Sequence, residues 1–265
     1  EWGTKIDINK VEETLKLNQD AKIVAFVHAE TSTGVKSDPE ALTKLAHTYN
    51  CLSIVDTVTG LAGVPLLVDE WEIDAVYSGT QKCLSASPGL SPISFSKKAK
   101  EKIQNRTTKV RSWFHDLNLI MSYWEGEGAR SYHHTAPINA LYGLHEALLI
   151  LSEEGIENSW KRHLENHVLL RDGLEQIGIN FLVNKDDRLP QLNTIFIPEG
   201  IDDPKTRSKL LNEYNLEIGA GLGTLAGKVW RIGLMGHSSN KQNIEHCLSS
   251  IAVSYTHLRA HETGY

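Results

Sequence analysis

Ser78-Gly79-Thr80-Gln81-Lys82 closes a short apolar run at 74–78 with a glycine-containing turn that ends in a lysine. A second run, 52–56, reads Leu-Ser-Ile-Val-Asp and ends in a carboxylate. Short runs of β-branched and apolar residues bounded by polar, turn-forming residues are typical of buried strands. We therefore predict two strands, one carrying Asp56 at its carboxyl end and the other followed by Lys82.

Strands and helices alternate through the first half of the chain. The run at 22–28 is almost continuously apolar, as expected of a strand buried on both faces. Asp38-Pro39 then starts a helix, with the aspartate as N-cap and proline in the first turn. Ile93–Phe95 is a further strand, for which antiparallel pairing is open. The alternation predicts an α/β fold with a mostly parallel sheet.

Ligands of such sheets bind beyond the carboxyl ends of the strands. The segments 28–32, 56–58 and 78–82 all lie at such ends, so we expect them to converge in space. A carboxylate at the end of one strand and a lysine just past another is the arrangement that holds pyridoxal phosphate. The lysine forms a Schiff base with the cofactor, and the carboxylate keeps the pyridine nitrogen protonated. The alternative is that both residues are solvated surface charges, as most such residues are.

The second half predicts a smaller C-terminal α+β domain with its own core. A long helix capped by Thr135 ends at Gly155, and further elements follow. The predicted helices lie near 157–176, 204–213 and 240–251, and the predicted strands at 193–197 and 229–232. We expect residues 1–154 to form part of a large cofactor-binding domain and residues 155–252 to form the small domain. Residues 253–265 lack the helical period before them and are expected to be foreign sequence.

The composition argues against several classes of protein. The chain is 40% hydrophobic and 23% charged, as is ordinary for globular domains. Its net charge of −6 argues against a nucleic-acid-binding surface. No apolar run reaches the roughly 18 residues of a membrane span. Cys51, Cys83 and Cys247 form no CxxC pair. They indicate neither a zinc site nor a disulfide framework, and they fit a reducing compartment.

Four motifs together resemble the class V aminotransferases, a family of pyridoxal phosphate enzymes of fold type I. The first is the lysine turn at 78–82 with the Pro88-Gly89 and Ile93–Ser96 segments that follow it. The others are His28-Ala29-Glu30-Thr31-Ser32-Thr33-Gly34, Tyr132-His133-His134-Thr135 and Gly227-Lys228-Val229-Trp230-Arg231-Ile232-Gly233. They occur in the family's order, and the resemblance runs from about residue 1 to 252.

The resemblance implies a role for each matching residue at the cofactor. Lys82 would hold pyridoxal phosphate and move the proton between the substrate Cα and the cofactor C4′. Asp56 would pair with the pyridine nitrogen, and Val58 would pack on one ring face. Thr31 would bond the phenolic oxygen or hold the loop that does, and Gln81 would bond the phosphate.

Three more residues have implied roles away from the ring. Tyr132 and Thr135 would reach the phosphate of the neighbouring subunit's cofactor, which implies a homodimer with shared active sites. Arg231 would bind the substrate α-carboxylate through a pair of hydrogen bonds, which lysine does poorly. A surface ion pair is the alternative for Arg231. Thr135 has the N-cap role as an alternative or an additional one.

The implied reaction is transamination of a small amino acid, alanine or serine, with glyoxylate or pyruvate as acceptor. A kynurenine-type or phosphonate aminotransferase stays open as an alternative. A cysteine desulfurase usually has histidine just before the lysine, where this chain has Gln81. The His133-His134 pair is not expected to hold metal, because adjacent residues rarely present two ligands to one ion. The glycine-rich stretch 219–228 lacks the spacing of a nucleotide-binding loop.

The family also has an N-terminal segment that would precede Glu1. That segment carries a glycine-rich phosphate turn, an aromatic residue over the cofactor ring and much of the dimer interface. We therefore expect an N-terminally truncated member, which alone aggregates or binds the cofactor weakly. An inactive structural fragment is the corresponding alternative. The resemblance implies an intracellular protein of the peroxisome or the mitochondrion, with the cytosol as the alternative.

Overall fold

The computed structural model of the chain describes residues 1–125 and 131–262. The helices are α1 (Ile8–Leu17), α2 (Pro39–Thr48), α3 (Lys97–Gln104), α4 (Leu117–Glu125), α5 (Ile138–Glu154), α6 (Ile156–Gln176), α7 (Asp203–Tyr214) and α8 (Lys241–Glu262). The strands are β1 (Ile23–Val27), β2 (Ala29–Glu30), β3 (Val35–Lys36), β4 (Leu52–Asp56), β5 (Ala75–Tyr77), β6 (Ile93–Phe95), β7 (Leu192–Phe196), β8 (Gly219–Ala220) and β9 (Val229–Gly233).

The first large sheet has the strand order β1-β4-β5-β6. Strands β1, β4 and β5 are parallel, and β6 is antiparallel to β5. Val27 lies opposite Asp56, and Asp56 lies opposite Tyr77. The chain segments that follow these three residues therefore leave the sheet at one edge. The predicted mostly parallel sheet is confirmed, and β6 takes the antiparallel direction that the sequence left open.

Helix α2 covers one face of this sheet. The Asp38 carboxylate caps it by accepting a hydrogen bond from the Ala41 amide at 3.0 Å, and Pro39 stands in the first turn. Leu42 is buried against the sheet with Phe26 in a common apolar cluster. Each leucine-sized side chain buried in this way contributes about 1.5–3 kcal/mol of transfer free energy. The predicted N-cap and first-turn proline of α2 are confirmed.

Helix α5 begins later than the sequence suggests. Its first helical residue is Ile138, and Pro137 occupies the cap position without a side-chain hydrogen bond. The expectation that Thr135 caps this helix is therefore wrong. The hydroxyl of Thr135 is instead bonded to the hydroxyl of Tyr132. At the other end Gly155 has a φ of +84°, a backbone conformation that favours glycine, and it separates α5 from α6.

The second large sheet is antiparallel, in the order β7-β9-β8. Its core is formed with residues of α6, α7 and α8, among them Leu170, Leu210 and Ile244. The elements of the predicted α+β unit are thus present. The division of the chain near residue 154 stays a prediction.

Helix α8 continues through Glu262, beyond the predicted helical segment. Residues 263–265 lie outside the described part of the chain. The expectation that 253–265 is foreign sequence stays a prediction, since a helix can form from either kind of sequence. Across the described ranges, no helix combines the length and the apolar character needed to cross a bilayer.

Candidate active site

Three loops meet at the carboxyl edge of the parallel sheet, after β1, β4 and β5. The His28 amide donates to the Asp56 carbonyl at 2.9 Å, and the Thr57 amide donates to the Tyr77 carbonyl at 3.0 Å. Parallel pairing therefore continues one residue past the strands. The loop with Thr31, the end of β4 with Asp56 and the turn with Lys82 consequently start from adjacent points, as the sequence predicts for such a sheet.

The Asp56 carboxylate is held by two donors. Its Oδ1 accepts from the Val58 amide at 2.9 Å, and its Oδ2 accepts from the Tyr77 hydroxyl at 2.8 Å. Desolvation, together with the hydrogen bond to Asp56, raises the pKa of Tyr77 to about 12. The phenol therefore stays a donor at neutral pH. Both contacts fix the direction of the carboxylate without neutralising its charge.

Lys82 lies half-buried in a turn that several hydrogen bonds define. The Ser85 amide donates to the Lys82 carbonyl at 3.0 Å, and the Thr80 hydroxyl donates to the Ser87 carbonyl at 2.6 Å. The neighbouring Cys83 is buried, and desolvation raises the pKa of its thiol to about 12. Cys83 is therefore a protonated, packed side chain, and Lys82 is the reactive candidate of this turn.

The side chains of Gln81 and Val58 both lie close to Gly79. A Cβ added to Gly79 would lie 2.8 Å from Oε1 of Gln81 and 3.3 Å from Cγ1 of Val58. The absence of a side chain thus lets the two predicted cofactor contacts approach the backbone of the lysine turn. Val58 also belongs to the segment that binds Asp56. Val58 therefore contacts both the Asp56 carboxylate, through its amide, and the surroundings of Gly79 in the lysine turn, through its side chain.

Arg231 connects β9 of the second sheet to the turn between β2 and β3, which contains Thr31. Its Nη1 donates to the Thr31 carbonyl at 3.1 Å, and its Nε donates to the Ala220 carbonyl at 2.8 Å. The Thr31 hydroxyl is bonded to the Thr59 hydroxyl at 2.9 Å. Two residues that are 200 positions apart in the sequence therefore share one site. Arg231 thus binds two backbone carbonyls, and its role stays a prediction.

Tyr132 and Thr135 do not join this group within the chain. The two hydroxyls are bonded to each other, and the Tyr132 ring lies edge-on to Tyr123 with centroids 6.2 Å apart. Tyr132 is 66% exposed. The pair is thus available on the surface, which is compatible with contact to a neighbouring subunit. His133, between them in sequence, stacks on Trp113 with centroids 4.0 Å apart.

Tyr77, Thr59 and Gln191 contribute to the site but were not identified from the sequence. Tyr77 could have been found, since it is the parallel neighbour of Asp56. Gln191 donates from Nε2 to the Thr59 carbonyl at 2.7 Å and reaches it from the other half of the chain. No local pattern marks Gln191, because its partner is 132 positions away.

The donor set fits pyridoxal phosphate. A carboxylate fixed by two donors suits a protonated pyridine nitrogen, and a half-buried lysine in a rigid turn suits the aldehyde carbon. Hydroxyl and amide groups at Thr31 and Gln81 suit the phenolic and phosphate oxygens. Within the described ranges, no cluster of three or more His, Cys, Asp or Glu side chains could hold a metal ion.

We expect His28, which lies between β1 and β2, to make the stability of the protein depend on pH. Its side chain is buried beside Trp71, and burial, assisted by the Lys36 charge, lowers its pKa to about 4. The unfolded chain binds this proton near pH 6.5, so stability is complete above that pH and falls as the pH drops toward 4. The loss is expected to be about 3 kcal/mol in the free energy of unfolding.

Urea unfolding between pH 7.5 and 4 measures this effect, with His28→Gln as the test variant. Between pH 7.5 and 4, the free energy of unfolding of the variant is expected to fall by about 3 kcal/mol less than that of the wild type. His246→Gln, at an exposed position of α8, serves as the matched control and should keep the wild-type slope. Equal slopes in the wild type and His28→Gln would refute the assignment.

Comparison with known proteins gives one consistent result. The family described as Aminotransferase class-V matches residues 3–246. The alanine–glyoxylate aminotransferase of Rattus norvegicus is 38% identical over 257 residues, which are 96% of this chain and 62% of that protein. The chain thus spans less than two thirds of this curated relative.

Solved structures agree with the sequence comparison. An alanine–glyoxylate aminotransferase from Nostoc sp. superposes with a TM-score of 0.91 at 44% identity, covering 96% of this chain and 67% of that one. A ureidoglycine–glyoxylate aminotransferase from Bacillus subtilis gives a TM-score of 0.93 at 36% identity, covering 98% of this chain and 66% of that one. These similarities confirm the predicted fold class.

Proposed function

Because this chain belongs to the class V aminotransferases, we propose that the whole protein is a pyridoxal phosphate-dependent transaminase. It moves the amino group of alanine or serine to glyoxylate or pyruvate. The observation that carries the proposal is the meeting of Asp56 and the Lys82 turn at one sheet edge, with Arg231 bonded to the adjoining loop. Relatives whose names include glyoxylate aminotransferase support the choice of acceptor.

When bound, pyridoxal phosphate supplies an electron sink for the carbanion at the substrate α-carbon. The remaining tasks belong to this chain. Lys82 would hold the cofactor covalently and then, as a free amine, take the proton from the α-carbon. Asp56, fixed by Val58 and Tyr77, would keep the proton on the pyridine nitrogen. These two residues would therefore act at opposite ends of the cofactor.

Three further residues would orient the cofactor. Val58 would pack on one ring face, Thr31 would bond the phenolic oxygen or hold the loop that does, and Gln81 would bond the phosphate. The Thr31–Thr59 hydroxyl pair supports such a role, because it orients a donor at the turn between β2 and β3. A fixed set of such contacts lowers the barrier by holding the reacting atoms in line.

Arg231 would bind the α-carboxylate of the amino acid. Its Nε and Nη1 already hold two carbonyls, so the guanidinium plane is oriented before substrate arrives. Arg231→Lys is expected to lower kcat/KM for alanine by about 10- to 100-fold, since a charge-assisted pair is worth about 1.5–3 kcal/mol. Steady-state kinetics measures the change. Arg207→Lys, in the Asp203 ion pair of α7, is the matched control and should leave kcat/KM unchanged.

A homodimer with shared active sites is part of the proposal. Tyr132 and Thr135 would reach the cofactor phosphate of the partner subunit. Exposed aromatic side chains in the segments before and after them in the sequence support a second copy as the occupant, because large exposed apolar patches mark interfaces. They include Trp113 at 58%, Trp124 at 59% and Tyr142 at 73% exposure. We also propose an intracellular location for the protein, as the resemblance implies.

The reaction itself is tested with the whole protein and added pyridoxal phosphate. Alanine and glyoxylate should yield pyruvate and glycine in equal amounts, and serine should serve as an alternative donor. Kynurenine, an aminophosphonate and cysteine are the comparison substrates for the other class V reactions. Faster turnover of any of these, or sulfide release from cysteine, would overturn the proposed substrate class.

A further inference from the structure

The loop between β9 and α8 packs against Cys83 and Ser85, which follow Lys82 in the sequence. Gly236 has a φ of +55°, and a Cβ added there would lie 2.0 Å from Oγ of Ser85 and 2.5 Å from the Cys83 carbonyl oxygen. The amide of His237 donates to the Ser85 hydroxyl oxygen at 2.9 Å. Ser85 in turn donates its amide to the Lys82 carbonyl at 3.0 Å. The loop thus touches the lysine turn without touching the reacting atoms.

His163 of α6 forms a hydrogen bond with the backbone of this loop. Its Nε2 accepts a hydrogen bond from the Gly236 amide at 2.9 Å, and its Nδ1 donates to the Ser159 carbonyl at 2.7 Å. The second bond fixes the tautomer that leaves Nε2 free to accept. Burial lowers the pKa of His163, so the ring is neutral at neutral pH. A protonated or apolar side chain would leave the buried Gly236 amide without its acceptor.

Neighbours of His163 on α6 complete the support. Arg162 donates from Nη1 to the carbonyls of Gly236 and Ser239 at 2.8 and 2.9 Å, and its other donors bind Glu154. One turn earlier, the Ser159 hydroxyl donates to the Ala62 carbonyl at 2.8 Å. The polar face of α6 therefore binds the 236–239 loop and the segment after β4 at the same time.

We propose that His163 is a positioning residue for catalysis, which acts through Gly236 and Ser85 to fix the turn that carries Lys82. The proposal rests on the proposed function for its kinetic consequence. The structural part of the proposal is that α6 holds the lysine turn in position through the 236–239 loop. This part does not depend on which reaction the protein catalyses. His163 itself binds Ser159 and Gly236, so it reaches the lysine turn through the loop. A lysine displaced by loosening of the turn would meet the α-carbon less often in the reactive geometry.

Three variants of the whole protein separate positioning from general stability. His163→Leu removes the acceptor, and His163→Gln supplies an amide oxygen near the position of Nε2. His167→Leu is the matched control, because His167 is buried on the same helix and bonds Asn193 of β7 at 2.6 Å, away from the loop. Hydrogen exchange of the Ser85 and His237 amides is measured on cofactor-free protein. Values of kcat and KM are measured on loaded protein.

We expect His163→Leu to speed exchange of both amides by about tenfold, as loss of one buried hydrogen bond would. Its kcat should fall by about tenfold, with KM for alanine changed less than about twofold. His163→Gln should lie near the wild type in both readouts, and His167→Leu should lose thermal stability without either change.

Unchanged exchange in His163→Leu overturns the proposal, and so does an equal change in His167→Leu. The exchange data do not depend on turnover, so they distinguish this proposal from the proposed function. A wild type without transaminase activity overturns the proposed function, even where exchange shows the coupling. Faster exchange in His163→Leu with an unchanged kcat overturns the catalytic part of the present proposal.

Discussion

Replacing Lys82 by alanine in the whole protein is expected to lower kcat for alanine–glyoxylate transamination by about 10⁴-fold or more. General acid–base catalysis alone contributes up to about 10⁴-fold, and the covalent attachment is lost with it. The residues of the turn stay bonded through the backbone and through Thr80, so the fold should persist. Pyruvate formed from alanine measures the rate, and circular dichroism checks the fold.

Two controls test whether the loss of kcat in Lys82→Ala is due to the missing side-chain amine. Lys98→Ala, at an exposed position of α3, removes the same group and should keep the wild-type rate. Methylamine added to Lys82→Ala should restore part of the lost rate, since it supplies a free base to the vacated space. Persistent transamination in Lys82→Ala without added amine is incompatible with the proposed role of the lysine.

Asp56→Asn is expected to lower kcat by about 10³-fold. A carboxylate next to a cation at about 4 Å is worth about 4 kcal/mol at a protein surface, and asparagine cannot stabilise the pyridine proton in this way. The change is isosteric, and the amide oxygen can still accept from the Val58 amide. The free energy of unfolding should therefore change little, which urea unfolding measures beside the kinetics.

Tyr77→Phe is the matched companion of this variant. It removes the hydroxyl that donates to Asp56 but leaves the charge in place. Its kcat should fall by about 10- to 100-fold, since one hydrogen bond to a charged group is worth about 1.5–3 kcal/mol. A Tyr77→Phe loss as large as that of Asp56→Asn would assign the effect to orientation rather than to charge.

Much of the fold could be predicted because its signals are local. Asp38 and Pro39 mark the start of α2, and the apolar runs at β1 and β4 mark buried strands. Parallel strands end at one edge of a sheet, so the sequence alone predicts that Asp56 and the Lys82 turn lie at the same edge. The four motifs in order imply the roles of the individual side chains, and those roles stay predictions.

The rest depends on contacts that no local pattern encodes. The predicted Thr135 cap of α5 is wrong, because the helix starts only at Ile138 and Pro137 occupies the cap position. The bond from Arg231 to Thr31 depends on how β9 packs against the first sheet. The bond from His163 to Gly236 likewise depends on a loop with a left-handed glycine, 73 positions away.

The central claim is that Lys82 is the residue that binds the cofactor covalently. The most direct measurement is borohydride reduction of the whole protein after loading with pyridoxal phosphate, followed by proteolysis and mass spectrometry of the peptides. We predict a reduced pyridoxyl group on the peptide that contains Lys82, and no such group on that peptide in Lys82→Ala. Attachment to a different lysine, or no attachment in protein that is fully active, would contradict the claim.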